Sequence, residues 1–111
     1  MNSAGIPLNV KFKIWLEING KPVLGEGGYH LLTLIEKHGS ILKASKELSI
    51  SYRKALSYIR RIESRLGLKI VETSRGGPGG GGSAKLTDTA KFLVLKYEKA
   101  LNVVENALSS L

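Results

Sequence analysis

The chain has 111 residues, 42% of them apolar and 23% charged, the proportions of a single globular domain with a small core. It has no cysteine, which excludes disulfides and thiolate metal ligands, and no apolar run approaching the length of a bilayer span. Seventeen Lys and Arg against nine Asp and Glu leave a formal charge of +8, so the expected partner is a polyanion.

Residues 1–9 read as a flexible N-terminus, 10–86 as the folded module and 87–111 as one long helix. Val10, Phe12, Ile14, Leu16 and Ile18 alternate with Lys11, Lys13, Trp15 and Glu17, predicting a strand over 10–18 with one buried face. Trp15 falls on the polar face and is expected to pack against the first or last helix. Asn19-Gly20 is a strong hairpin signal, so 21–24 should return as a second strand. The glycines at 25, 27 and 28 are expected to end the hairpin. Tyr29, Leu31, Leu32, Leu34 and Ile35 then form a helical face that stops at Gly39.

Ser40 can cap a second helix whose inward residues are Ile41, Ala44, Ser45 and Leu48. Ser49-Ile50-Ser51 breaks the pattern, with Ser51 as the next cap. Ala55, Ile59, Ile62 and Leu66 follow at helical spacing as the buried stripe of a third helix, which Gly67 closes. A strand over 68–73, a glycine loop over 74–83 and a returning strand over 84–86 come next. Thr87 caps a final helix, with Asp88 in its first turn favouring the helix dipole.

The positive charge is concentrated between Ser40 and Lys85, where ten basic residues face three acidic ones. With its apolar stripe inward, the third helix offers Arg53, Lys54, Ser57, Tyr58, Arg60, Arg61 and Arg65 outward, none of them acidic. Two short helices joined by a tight turn, the second cationic on its free face, form the pattern of a helix-turn-helix reader of the major groove. Its first turns would bring Tyr52, Arg53, Lys54 and Ser57 to base edges, with Tyr58 and Arg61 beside them. An arginine bidentate to guanine contributes roughly 1–3 kcal/mol of discrimination. Ser40 and Ser51 stand at helix N-termini suited to phosphate, and Lys43 and Lys46 are natural backbone clamps. Arg75 and Lys85 flank the glycine loop, where Gly76, Gly77 and Gly79 would permit close approach to phosphates. Those glycines run into a strand rather than opening a helix, so the phosphate-cradling motifs of nucleotide-binding enzymes do not fit. His30 and His38 have no ligand-like spacing, and no catalytic constellation, metal site or cofactor is expected.

The last helix is too broadly apolar for one small domain to cover. Tyr97, Ala100, Leu101, Val104, Ala107, Leu108 and Leu111 are therefore expected to pair with a second copy, giving a homodimer suited to a palindromic duplex site; a monomer with its long C-terminal helix wrapped on itself is the alternative.

These residues resemble a known family. Gly39-Ser40, Ile50-Ser51-Tyr52-Arg53-Lys54-Ala55-Leu56, Leu66-Gly67, Val71-Glu72-Thr73 and Lys85-Leu86-Thr87 look like the DNA-binding module of LysR-type regulators. Ile50-Ser51-Tyr52 and the run Gly76-Gly77-Pro78-Gly79-Gly80-Gly81-Gly82 are more similar still to the N-terminal domain of ModE-type molybdate-responsive regulators. The resemblance covers about residues 10–108. It implies a homodimer that contacts DNA through Ser51, Tyr52, Arg53, Lys54, Ser57 and Tyr58, and through a wing formed by Arg75 and glycines 76–82. Two positions depart from the pattern: Ser49 stands where glycine is common in the turn, and Leu56 where a larger aromatic is expected. No molybdate-binding domain is expected in this sequence.

The expectation is thus a mainly α protein with small β elements: an N-terminal hairpin, a winged helix-turn-helix and a long C-terminal dimerisation helix. The expected function is sequence-specific binding of double-stranded DNA by a cytoplasmic transcriptional regulator that is not an enzyme. A non-specific architectural DNA-binding protein and a protein-interaction module are the rival readings.

Overall fold

The computed structural model describes residues 5–75 and 82–111. Their elements run β1 (Leu16–Ile18), β2 (Lys21–Leu24), α1 (Glu26–His38), α2 (Ile41–Glu47), α3 (Tyr52–Leu66), β3 (Val71–Ser74), β4 (Ser83–Leu86) and α4 (Asp88–Leu108). The fold is mainly helical, with two separate two-stranded antiparallel sheets and a long last helix.

Asn19 and Gly20 both take positive φ, 50° and 78°, and turn β1 into β2 as their sequence predicts. β1 is much shorter than the expected 10–18 strand, because β2 offers only four partners before Gly25 and pairing ends at Leu16. Val10 and Phe12 remain exposed, and Trp15 lies half in solvent with its Nε1 donating to Glu17 at 2.7 Å. Trp15 borders a recess with residues of α1 and α4, the first and last helices against which it is expected to pack, while about half of it stays in solvent.

α1 begins at Glu26, earlier than expected, and takes Gly27 and Gly28 into its first turn. A Cβ on Gly28 would lie 3.0 Å from the Leu24 side chain and 3.7 Å from Ile62, so the first turn of the helix packs tightly against β2 and α3. Gly39 then closes α1 in the left-handed conformation, its N–H donating to Ile35 O.

The link between α2 and α3 is a Schellman closure. Ile50 N–H donates to Ser45 O at 3.0 Å and Ser49 N–H to Lys46 O at 3.1 Å, while Ser49 sits at φ 58°. Ser40, Ser51 and Thr87 cap α2, α3 and α4 by accepting from Lys43, Lys54 and Ala90 N–H. Each such cap contributes about 1 kcal/mol.

β3 starts at Val71, later than the expected Leu68, and Leu68 is exposed. The delay has a specific cause: Glu63 Oε2 accepts from Ile70 N–H at 2.8 Å and Val71 N–H at 3.4 Å, drawing that segment down onto α3. β4 is tied to α1 where Ala84 N–H donates to Gly39 O at 2.9 Å, and Thr87 N–H returns to Ile70 O at 3.0 Å. Leu24, Leu31, Leu32, Ile35 and Ile70 are fully buried at the centre, with Ala55, Ile59 and Ile62 of α3 and Ala90, Leu93 and Val94 of α4 around them. No helix described here is long and apolar enough to cross a membrane.

Candidate nucleic-acid interface

The burial of Ala55, Ile59 and Ile62 fixes how α3 is rotated. At 100° per residue, the direction opposite that stripe is held by Arg53, Ser57, Arg60, Arg61 and Ser64, all exposed. Lys54 lies at the edge of the same face and is also exposed. Among the described residues no salt bridge involves Arg53, Lys54, Arg60 or Arg61. The cationic face therefore keeps its charge available.

Two of the three acidic residues in this segment are already engaged elsewhere. Glu47 accepts from His38 Nε2 at 2.8 Å and lies 4.0 Å from Lys37 Nζ, and the histidine hydrogen bond holds its carboxyl below the ordinary value. Glu63 is held by the backbone of Ile70 and Val71. The third, Glu72, stands directly across from Lys85 in the β3–β4 ladder.

One flank of α3 faces the β3–β4 hairpin across an open groove of about 880 Å³. Tyr52, Leu56 and Arg60, one helical turn apart, form its helix wall, while Thr73, Ser74 and Arg75 form the opposite wall. Ser40 lies at its end. The groove thus brings together Ser40, Tyr52 and Arg75 among the expected site residues and adds Arg60, which the sequence places outward without assigning it to a site. Lys43 and Lys46 are exposed on α2 and are not among the residues that line the groove.

Several expected contacts are placed differently. Lys85 is exposed on β4, across from Glu72, and is not among the residues that line the groove with Arg75. Tyr58 is half-buried on the other flank of α3, near Gly27, and Arg61 stacks over its ring at 5.4 Å. The ring supports an arginine rather than pointing outward. Arg65 is drawn off the face by donating to Pro22 O. The hydroxyls of Ser40 and Ser51, by contrast, serve as helix caps as their positions predict.

Gly76, Gly77 and Gly79 lie outside the described residues. Gly82 is described, and its role is internal: a Cβ there would come within 2.8 Å of Ser74 O, so the hairpin base closes tightly only around glycine. The resemblance to ModE-type regulators implies a place for Gly82 in the wing, and its near neighbour is the opposite strand of that hairpin.

α4 divides along its length. Tyr97 is 3% exposed and stacks on Tyr29 at a centroid distance of 4.7 Å, so it belongs to the core and not to a partner-facing surface. Tyr29 donates to Glu98 at 2.6 Å, and this hydrogen bond, with burial, pushes its phenol up to about 12. Ala100, Leu101, Val104 and Leu108 are half-buried, while Ala107 and Leu111 are exposed.

A search of family models finds no match to this chain. A comparison with curated proteins does find a relative. The chain is 29% identical over 102 residues to the molybdenum-pterin-binding protein MopA of Rhodobacter capsulatus. That alignment covers 86% of this chain and 38% of MopA. The similarity therefore concerns well under half of the relative, and MopA's named binding property belongs to a much longer protein.

Proposed function

We propose that this chain is a winged helix-turn-helix that binds double-stranded DNA sequence-specifically and acts as a homodimeric transcriptional regulator. In this reading α2 and α3 are the supporting and reading helices, and β3–β4 is the wing. The observation that carries it is the shared groove: Arg60, at the border of the α3 face that makes no salt bridge among the described residues, and Arg75 of the hairpin line the same opening. A duplex that receives α3 in its major groove then meets the hairpin with its phosphates. Similarity to a molybdenum-related protein agrees with the resemblance to ModE-type regulators. No catalytic role is proposed. Molybdenum-pterin binding is not proposed either, since the chain aligns with only 38% of MopA.

Competition between genomic fragments and random duplex, over a salt series, tests the proposal. A specific regulator keeps a preference of at least about a thousandfold for selected fragments at physiological salt. Equal affinity for all sequences, falling together with salt, identifies a non-specific architectural protein instead. Salt-sensitive binding to an acidic protein without binding to duplex removes the nucleic-acid reading altogether.

A further inference from the structure

The chain preceding β1 forms an arm with a regular pattern. Ile6, Leu8, Val10 and Phe12 are all exposed, and Asn9, Lys11 and Lys13 alternate with them. Within residues 5–15 the recorded backbone hydrogen bond is a tight turn from Leu8 N–H to Ile6 O at 2.9 Å. From Leu8 onward the arm therefore offers strand-forming backbone and an apolar edge that nothing described in the chain covers. Such an edge invites pairing with another strand.

Building on the homodimer reading above, we propose that the arms of two copies pair antiparallel about a two-fold axis through Val10. The register follows from side-chain chemistry. An axis at Val10 sets Val10 against Val10, Leu8 against Phe12 and Asn9 against Lys11, keeping every apolar side chain on one face. Moving the axis to Lys11 sets that lysine against itself. Moving it to Phe12 sets Lys11 against Lys13. Both alternatives place like charges directly opposite, which destabilises a ladder. The turn at Ile6–Leu8 ends the ribbon on one side.

The position of the arm favours a second copy as occupant. Its root, Phe12 to Trp15, lines a recess of about 540 Å³ together with Tyr97 and Leu101 of α4. Tyr97 belongs to the core, and Leu101 is the residue of the α4 stripe assigned to the dimer that borders this recess, so the root of the arm adjoins that stripe where it leaves the core.

The lack of cysteine makes a direct test possible. Val10→Cys chains, oxidised at low concentration, are expected to give a covalent dimer, because paired strands bring these positions within disulfide reach. Leu8→Cys and Phe12→Cys chains should link efficiently only when mixed. Val10→Lys, which sets two charges face to face, should raise the dimer dissociation constant at least tenfold in sedimentation, with the unchanged helical signal reporting an intact fold. A wild-type dimer whose Val10→Cys variant does not link, or links no better than Lys11→Cys, overturns the arm pairing and leaves the homodimer standing. A wild-type chain that stays monomeric at all concentrations overturns both.

Discussion

Ser49 is the residue most constrained by its backbone. It adopts φ 58° in the closure between α2 and α3, a conformation that costs an L-residue roughly 1–2 kcal/mol and glycine little. Ser49→Gly should raise stability by about 1 kcal/mol or less in urea denaturation, once the flexibility of glycine in the unfolded chain is offset. A loss of stability would mean that the serine side chain contributes something that its geometry does not reveal. Tyr29 gives a second test at this scale. Its phenol is held neutral when folded and titrates near 12 rather than 10.0, so its stabilising contribution is present below pH 10 and is lost as pH rises towards 12. Tyr29→Phe should lower the unfolding midpoint at neutral pH, and the gap from wild type should close over that alkaline interval. Under the proposed function, Arg53 and Arg75 separate the two kinds of DNA contact. Arg53→Ala should relax sequence preference, costing roughly 1–3 kcal/mol of discrimination at one position. Arg75→Ala should weaken all sequences about equally and reduce the salt dependence by about one ion.

Among the elements, the placement of β3 depends on an acidic residue that charge counting treats as a blemish on α3. Glu63 accepts two backbone hydrogen bonds at the start of the hairpin, one of them from fully buried Ile70. Glu63→Ala leaves those donors unpaired and should cost about 1–3 kcal/mol by thermal or urea unfolding. The hairpin would also lose its registration with α3, so affinity for duplex should fall for every sequence alike. A variant that unfolds earlier but binds as wild type would show that the hairpin is not part of the interface. Gly82 acts in the same direction, since its closeness to Ser74 O sets how tightly the hairpin base is drawn together.

The whole molecule is elongated. Its radius of gyration is 17.3 Å, against about 13 Å for a compact domain of this length. The excess agrees with an arm and a distal α4 that stand apart from the core. α4 changes character along its length: Ala90, Leu93, Val94 and Tyr97 are buried, and the half-buried Leu101, Val104 and Leu108 continue the same stripe outward. Leu108→Lys should therefore raise the dimer dissociation constant at least tenfold by sedimentation while leaving the monomer's melting behaviour nearly unchanged. Strong destabilisation of the monomer would instead mean that this stretch belongs to its own core.

Local chemistry determined the helices, the caps at Ser40, Ser51 and Thr87, the turn at Asn19-Gly20 and the stops at Gly39 and Gly67. Each of these depends on a residue and its immediate neighbours, and the third helix matched its expected span because its apolar period and its cap agreed. The tertiary structure decided what depends on distant partners. β1 ended where β2 ran out of residues, Gly28 in α1 packed tightly against Leu24, and Tyr97 became core because Tyr29 stacked on it. It also decided that Arg60 shares a groove with Arg75 and that Lys85 does not line it. Which flank of a helix meets which face of a hairpin is set by packing between segments far apart in the chain, and a one-dimensional pattern carries no record of that angle.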